Sequence, residues 1–484
     1  MAACFGAFFR QYPDYFNTIN NMVFGDGAEK FNAFVASHPK DLGRYIDQKI
    51  LPESGYDAYR NFKWFDEMGG KDEKLEHLIH VIKEMAGEYQ QAKEAAIKEE
   101  KYAEADFYAK QIDKLHKIRM IEGLSKYCVI PKYGFPVDVV ELQIYKEGVA
   151  SSKYDLSRDL RIAISEYAPD SEVIVDGEKY TSKYITRPKT SDFPKNYFCT
   201  CPTCSKVNVF IRQEDTRECK YCGEPIGSVR HEYYIEPVYG FKTGVTKEST
   251  RMKPKKSYAG EISYLGGGVQ DGKIIDLNGV IKIETSSDDE LLVVNRSNFY
   301  MCPVCGYSDI NKGRMLPPQI VRKHKNFRQF DCSCEEMDSL RLGHRFRTDV
   351  ARITIPILET FDMVSRDQAL SFMYAFIEGI SNAFDIERTD IDGILEYNRE
   401  TGSYDVLVYD NVPGGAGHVK RLGGKEDILK VLYAAHEKVS QKCCDEDTSC
   451  YNCLRNFYNQ MYHSKLKRRY ARDKVEELIR MVEM

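Results

Sequence analysis

The sequence predicts an α+β, multidomain protein with a helical N-terminal region, a β-rich centre and an α+β C-terminal region. Residues 1–127 carry apolar side chains at three- and four-residue spacing among many Glu and Lys residues, as amphipathic helices do. From residue 128, Pro, Gly and β-branched residues replace that pattern and favour short strands. Beyond residue 348, strand and helix patterns alternate.

Length and charge limit the classes of function. The chain has 484 residues, 42% of them hydrophobic, which is enough for several buried cores. Its formal net charge of −5 argues against a uniformly basic surface, so any nucleic-acid contact must use local patches. The apolar runs are too short for a membrane span, and residues 1–10 lack the basic start and length of a signal peptide. We therefore expect a cytoplasmic protein without a membrane partner.

Fifteen cysteines are the strongest chemical signal. Most form short C-x-x-C pairs in a large chain without an export signal, which favours zinc over disulfides. Cys4, Cys128 and Cys199 are interpreted as ordinary thiols. The other twelve form three groups of four and predict two or three Zn²⁺ sites, with the ligands Cys201, Cys204, Cys219, Cys222, Cys302, Cys305, Cys332, Cys334, Cys443, Cys444, Cys450 and Cys453.

Residues 1–127 form the predicted helical region, in which 73–118 favours a helical hairpin. Residues 128–198 are predicted as a β-rich junction module, because Pro131 and Pro136 stop a helix and Asp176-Gly177 is typical of a β-hairpin turn. Residues 199–230 are predicted as a zinc ribbon, since fourteen residues separate its two C-x-x-C pairs and include a short strand.

Residues 231–347 are predicted as a β-rich module with the second cysteine cluster. Its C-x-x-C pair is followed, twenty-six residues later, by the less standard pair Cys332 and Cys334. His324 or His344 could therefore replace a cysteine ligand. Two stretches of the chain, 314–347 and 465–474, are rich in Lys and Arg and are interpreted either as phosphate contacts or as solvated faces.

Residues 348–484 are predicted as an α+β zinc-binding domain with helices at 366–384 and 425–441 and paired strands at 393–397 and 404–409. A glycine-rich turn follows at 413–417. Its free N–H groups suit a phosphate or a carboxylate, although the glycines could serve only close backbone packing. Cys443 and Cys444 are adjacent, so one of them could be a bystander with His463 as the substitute ligand.

The motifs DNVPGGAG (410–417) and SCYNCLRNFYNQ (449–460), followed by His463 and Arg468, resemble the zinc-binding DUF1998 family, which is related to the MrfA-type Zn-binding domain. Residues 342–355 and 376–393 are similar to earlier segments of the same domain, so the resemblance covers at least 342–472. Members of this family lie at the C-terminus of superfamily 2 DEAD/DEAH-box DNA helicases and in DISARM-type anti-phage defence proteins.

The resemblance implies a non-catalytic, DNA-binding accessory region or subunit of a superfamily 2 helicase, in anti-phage defence or DNA repair. The sequence contains neither a phosphate loop with Lys-Ser or Lys-Thr nor a DEAH-like box, so we do not expect this chain to hydrolyse ATP unaided. A RecA-like motor would be a separate subunit or the missing N-terminal half. Charge and position make six residues candidates for nucleic-acid backbone contacts: Lys420, His418, Arg455, His463, Arg468 and Arg469.

Two other classes of function remain open. Seven carboxylates near the predicted helix and hairpin could form a metal-dependent nuclease, namely Glu378, Glu387, Asp390, Asp392, Glu396, Asp405 and Asp410. No lysine stands two residues after Glu396 or Asp410, as such nucleases usually require, which favours carboxylates that cap turns or pair with arginine. The third class is a zinc-stapled protein-interaction scaffold without nucleic-acid contact.

Overall fold

The structure is a computed structural model. It describes residues 2–40, 42–43, 62, 65–66, 70–127, 129–130, 138–146, 149–151, 154, 156–187, 192–213, 217–229, 231–244, 248–249, 260–267, 274–311, 323–332, 334, 336–355, 363–398, 402–412, 415–456 and 458–484. Cys128 and the turn residues Pro413 and Gly414 lie outside the described residues.

The helices in chain order are α1 Ala2–Gln11, α2 Asn20–Val23, α3 Gly27–Ala36, α4 Glu73–Lys98, α5 Tyr102–His116, α6 Met120–Lys126, α7 Leu160–Glu166, α8 Met363–Phe384, α9 Lys425–Ser440 and α10 Arg468–Glu483. The strands are β1 Val139–Lys146, β2 Val149–Ser151, β3 Ser157–Asp159, β4 Glu172–Val175, β5 Glu178–Ile185, β6 Asn196–Thr200, β7 Val207–Phe210, β8 Glu232–Ile235, β9 Phe241–Thr243, β10 Glu248–Ser249, β11 Gly260–Gly266, β12 Ile275–Leu277, β13 Ile281–Asn295, β14 Asn298–Met301, β15 Ser308–Asn311, β16 His324–Lys325, β17 Asp331–Cys332, β18 Asp338–Thr354, β19 Ile391–Asn398 and β20 Ser403–Asp410. The predicted α+β class is confirmed, with a helical N-terminus and a β-rich centre.

Two compact units are assembled from non-contiguous parts of the chain. Unit 1 contains residues 1–135, 266–290 and 347–484, and unit 2 contains 136–265 and 291–346. Strands β13 and β18 each supply residues to both units. The division into five sequence segments stays a prediction.

In unit 1, the N-terminal helices pack around aromatic side chains such as Phe8 and Phe31. Helix α4 begins at Asp72, whose carboxylate accepts a hydrogen bond of 2.8 Å from the N–H of Leu75 and so caps the helix. Only three residues separate α4 from α5, and the two helices pack against each other. The helical hairpin predicted for this stretch is therefore present.

The rest of unit 1 packs helices α8, α9 and α10 against one another and against the sheet order β12-β13-β18-β20-β19. Strands β19 and β20 are antiparallel from the pair Ile391–Asp410 to the pair Asn398–Ser403, as the sequence predicted. Helices α8 and α9 approach closely at Gly379, where an added Cβ would collide with the carbonyl of Val431. Residues 369–377 of α8 are all buried.

Unit 2 contains two larger sheets and a small hairpin. One sheet has the order β10-β5-β9-β1-β2, with β3 and β4 attached, and β4 and β5 turn at Asp176 and Gly177, both with positive φ. The other includes β6, β7, β8, β11, β14 and β15 together with the unit 2 residues of β13 and β18. Strands β16 and β17 form the hairpin. Within the part of the chain that the structure describes, none of the helices is both long and apolar enough to cross a membrane.

Candidate metal centres

Among the described residues, three groups of four side chains could hold a metal ion, because the ligand atoms of each group lie within 4.8 Å of one another. We call them site 1, with Cys201, Cys204, Cys219 and Cys222; site 2, with Cys302, Cys305, His324 and Cys332; and site 3, with Cys443, Cys444, Cys450 and Cys453.

Site 1 is built from two tight turns. The turn after β6 is closed by a hydrogen bond of 2.9 Å from the N–H of Cys201 to the carbonyl of Lys206. The second turn repeats this arrangement between Cys219 and Glu224, at 2.8 Å. Each turn contains a residue with positive φ, Ser205 in the first and Gly223 in the second. The same local fold therefore presents both cysteine pairs.

The spacing of the sulfur atoms fits a tetrahedral metal ion. In site 1 the Sγ atoms of Cys201 and Cys222 are 3.7 Å apart, and those of Cys204 and Cys219 are 3.6 Å apart. A tetrahedron with Zn–S bonds of about 2.3 Å has edges of about 3.8 Å. A disulfide would place the atoms at about 2.05 Å. The donor set and its spacing therefore fit Zn²⁺.

Hydrogen bonds prepare one thiol of site 1 for ionisation. Desolvation by burial opposes ionisation of Cys219, but N–H donors from the backbone of Tyr221 and the side chain of Asn208 outweigh it and lower the pKa of Cys219 to about 6. The Asn208 amide donates at 3.3 Å, and its Oδ1 accepts from the N–H of Lys220 at 2.8 Å. A thiolate is the form that binds zinc, so this network favours metal binding.

Site 2 combines three cysteines with His324. The Sγ atoms of Cys302 and Cys332 are 3.8 Å apart, and Nε2 of His324 lies 3.2 Å from Sγ of Cys305. The ring of Tyr307 stacks on His324 at 4.6 Å and fixes its orientation. A hydrogen bond from Cys305 is the main cause that lowers the pKa of Cys302. These features make site 2 a Cys3His group suited to zinc.

Cys334, predicted as a ligand, does not belong to this group. Its thiol donates to the carbonyl of Glu336 at 3.1 Å. His324 takes the fourth position because it pairs directly across the β16–β17 hairpin with Cys332. In the structure, His324 and not Cys334 is the fourth member of the group, as in the alternative that the sequence left open. His344, the other alternative, is buried elsewhere, with Nδ1 3.5 Å from Glu236.

We expect His324→Ala to remove one of three zinc equivalents and Cys334→Ala to remove none, because only His324 belongs to a group of four ligand atoms. Elemental analysis of the two purified variants measures this directly. Loss of zinc from Cys334→Ala with full retention in His324→Ala would reverse the assignment.

Site 3 lies between the end of α9 and the start of α10. The Sγ atoms of its adjacent residues Cys443 and Cys444 are 3.9 Å apart, and both belong to the group of four that could hold a metal ion. Sγ of Cys453 lies 3.8 Å from the sulfur atoms of both Cys444 and Cys450. Cys453 is only 1% exposed and belongs to the core of unit 1, so this site is continuous with that core.

Two of the six predicted nucleic-acid contacts, Arg468 and Arg455, form hydrogen bonds around the loop of site 3. Arg468 is 4% exposed and donates to the carbonyls of Val439 and Cys444 at 3.0 and 2.9 Å. Arg455 donates to Oγ of Ser449 at 3.0 Å and to the carbonyl of His463 at 3.2 Å. These guanidinium groups therefore hold backbone and hydroxyl oxygens of this chain.

The imidazole of His463 has partners within the same loop. Its Nε2 lies 3.1 Å from the carbonyl of Asn456 and 3.0 Å from Oδ1 of Asn459. His463, which the sequence offered as a possible substitute ligand, is not a member of the site 3 group.

The glycine-rich turn binds carboxylates of its own chain. Asp410 accepts hydrogen bonds from the N–H groups of Ala416, His418 and Val419 at 2.6 to 3.0 Å. Asp349 accepts from the N–H of Gly417 at 3.1 Å. These N–H groups therefore have acceptors within the chain. Of the two partners that the sequence suggested, a phosphate or a carboxylate, the structure shows carboxylates.

The other three predicted contacts are more accessible. The side chain of Lys420 is 28% exposed, with Nζ 3.4 Å from Asp349. That of His418 is 20% exposed, with Nε2 3.9 Å from a carboxylate oxygen of Asp390. That of Arg469 is 44% exposed and forms an ion pair of 2.6 Å with Asp447. Exposed charge among the six is therefore greatest at Arg469.

Three carboxylates of the nuclease alternative pair with arginine side chains. Arg352 pairs with both Glu396 and Asp405, at 2.6 and 2.7 Å. Glu378 pairs with Arg388 at 2.8 Å. Carboxylates bound to guanidinium groups are not arranged around a divalent cation, and within the described ranges the groups able to hold a metal all contain cysteine.

Comparison with known proteins finds a similar domain around site 3. Residues 372–454, which include all four site 3 cysteines, match the family model of the MrfA Zn-binding domain. The resemblance expected from the sequence is therefore confirmed for this segment, and zinc is the cofactor that such a domain binds. Druantia protein DruE of Escherichia coli (strain UMEA 4076-1) is 25% identical over 406 residues, covering 72% of this chain and 21% of that protein.

Two solved structures are similar at low identity. A crystal structure of the DUF1998 helicase MrfA bound to DNA aligns with a TM-score of 0.34 and 10% identity, over 70% of this chain and 34% of that chain. A second, bound to DNA and AMPPNP, aligns with a TM-score of 0.24 and 9% identity, over 71% and 31%. The chain spans about a fifth of the length of the curated relative and about a third of the MrfA chains.

Proposed function

We propose that this chain, with its MrfA Zn-binding domain, is a non-catalytic, nucleic-acid-binding accessory part of a superfamily 2 DNA helicase. The observation that carries the proposal is the match of residues 372–454 to that domain, combined with four cysteines arranged for zinc inside it. The motor would be a RecA-like ATPase in another subunit or another part of a longer protein.

The sequence and its relative support the same proposal. No phosphate loop with Lys-Ser or Lys-Thr occurs in the sequence, so ATP hydrolysis would come from another subunit or another part of a longer protein. Similarity to a Druantia protein, together with the resemblance to DISARM-type proteins, favours anti-phage defence over DNA repair as the pathway. Such a protein would act on DNA in the cytoplasm.

Within the C-terminal region we propose backbone contacts through Arg469, Lys420 and His418. Arg469 has the most exposed charge of the six candidates. Arg455, His463 and Arg468 contribute indirectly, since their hydrogen bonds shape the loop of site 3. The N–H of Arg469, at the start of α10, donates to the carbonyl of Glu446 in that loop at 2.9 Å. A phosphate group would replace the Asp447 carboxylate as the partner of Arg469.

We expect the full chain to bind DNA with an affinity that falls steeply as salt rises, because phosphate contacts release counterions. Arg469→Ala should weaken binding to all sequences alike and reduce the slope of log K against log salt by about 0.7–0.9. Arg480→Ala is the matched control, since Arg480 lies on the same helix, is 74% exposed and also faces a carboxylate, that of Glu476. Fluorescence anisotropy at several salt concentrations measures both.

The outcome separates the other classes of function. A zinc-stapled scaffold would show no DNA affinity at any salt concentration, and that result would contradict the proposal. A nuclease would cut plasmid DNA with Mg²⁺ or Mn²⁺, and the engaged carboxylates of the C-terminal domain predict that it does not.

A further inference from the structure

A short β-hairpin in unit 2 carries two residues of site 2, His324 and Cys332, at its base. Strands β16 and β17 pair with His324 opposite Cys332 and with Lys325 opposite Asp331. Because β16 begins at His324 and β17 ends at Cys332, a bound metal ion would join the two strands at the base and oppose fraying of this short hairpin. The carbonyl of Lys325 also accepts a hydrogen bond of 2.9 Å from the hydroxyl of Tyr184.

The loop of the hairpin has a defined conformation. The N–H of Gln329 donates to the carbonyl of Asn326 at 2.9 Å, and Gln329 has a φ of 72°. The carbonyl of Phe330 accepts from the N–H of Asn326 at 2.8 Å. Oδ1 of Asn326 accepts from the N–H groups of Arg328 and Phe330, at 2.9 and 3.2 Å. A turn closed by an i→i+3 hydrogen bond and followed by a left-handed residue is common in hairpin loops, so the tip is pre-organised.

The two aromatic residues of the loop have opposite environments. Phe327 is half-buried, with its ring 5.2 Å from that of Tyr145 and Nζ of Lys242 4.0 Å from its centroid. Phe330 is 68% exposed. The first ring attaches the loop to the body of unit 2, and the second presents a large apolar face to solvent.

The hairpin that carries the exposed ring has a net positive charge. Lys323, Lys325 and Arg328 are all exposed, and Asp331 is the exposed acidic residue of the hairpin. Three cations and one carboxylate give residues 323–332 a formal charge of +2 with His324 neutral. An exposed aromatic face on a positively charged hairpin matches a chain of stacked bases joined by phosphates better than it matches an apolar protein groove.

We propose that this hairpin binds single-stranded nucleic acid, with Phe330 stacked on a base and Lys323, Lys325 and Arg328 in contact with the phosphates. The inference rests on the proposed function and adds a location in unit 2 and a strand form to it. Phe330 reaches an unpaired base, whereas bases in a duplex are already stacked on their neighbours. Site 2 then serves to hold the hairpin in the binding conformation.

The test compares full-length variants on a single-stranded oligonucleotide carrying one 2-aminopurine and on the corresponding duplex. Phe330→Ala should weaken single-strand binding about 5- to 100-fold, leave the salt slope unchanged and abolish quenching of the 2-aminopurine by stacking. Phe330→Trp should restore both affinity and quenching. The combined change of Lys323, Lys325 and Arg328 to Ala should lower the salt slope by about 2.

Tyr102→Ala is the matched control, because Tyr102 is 69% exposed on a helix of unit 1. It should leave binding unchanged. Zinc content equal to that of the wild type shows that each variant is folded at site 2.

The results distinguish this inference from the proposed function. Wild-type binding that Phe330→Ala leaves unchanged overturns the hairpin inference alone. Equal weakening of single-strand and duplex binding by Phe330→Ala also overturns it, because stacking on an unpaired base would not be the cause. A wild type that binds no nucleic acid at low salt overturns the proposed function, and the inference with it.

Discussion

Replacing Cys453 by serine is expected to unfold the C-terminal part of unit 1. The side chain is 1% exposed, lies in the core formed with α8, α9 and α10, and holds one corner of site 3. Serine cannot supply the thiolate, so the free energy of zinc binding, about 10–16 kcal/mol in zinc-finger peptides, is largely lost. We expect loss of one zinc equivalent and rapid proteolysis within 372–454.

The control for this variant is Cys4→Ser. Cys4 is also buried in unit 1, at 4% exposure, but belongs to none of the three sites. We expect it to cost about 1–3 kcal/mol and to leave the zinc content unchanged. Equal stability and equal zinc content in the two variants would show that site 3 does not hold the fold.

The second large effect is expected at Asp410. Its carboxylate is fully buried and accepts three backbone N–H groups of the glycine-rich turn. Asp410→Ala leaves these donors without a partner and should lower the free energy of unfolding by about 3–5 kcal/mol. Asp410→Asn keeps one acceptor oxygen and should cost less. Chemical denaturation of the three proteins measures the difference.

The pH dependence of this variant pair has a defined sign. Desolvation by burial raises the pKa of Asp410, and the nearby Asp349 carboxylate raises it further, against hydrogen bonds from the turn that lower it. A raised pKa in the folded state gives stability that is complete below the unfolded-state pKa and is lost as the pH rises through the folded-state value. The cost of Asp410→Asn should therefore shrink as the pH is raised from about 4. A cost that grows over this range would contradict the account.

The sequence predicts the cysteine groups well, because C-x-x-C pairs and nearby cysteines are local features. Sites 1 and 3 contain the same eight cysteines that spacing indicates. Site 2 differs in one ligand, since the choice between His324 and Cys334 depends on how β16 pairs with β17. Residues 324–332 contain too few strand residues to reveal that register in advance.

Charge alone predicts less about individual contacts. Arg468 lies in the basic stretch 465–474 and Arg455 lies ten residues before it, yet their hydrogen bonds go to carbonyl and hydroxyl oxygens of this chain. Nothing in a linear pattern distinguishes a buried arginine that satisfies a helix end from one that faces a phosphate. The division into two units could not be predicted from local sequence patterns either. Unit 1 combines the N-terminal helices with residues 266–290 and 347–484, which are distant in the sequence.

The most direct test of the central claim is the zinc content of the purified full chain, measured together with its unfolding in the presence of a strong chelator. The structure predicts three equivalents per chain and a marked loss of stability when the metal is removed. Fewer than about one equivalent, with unfolding unchanged by the chelator, would contradict the claim that zinc holds these sites together.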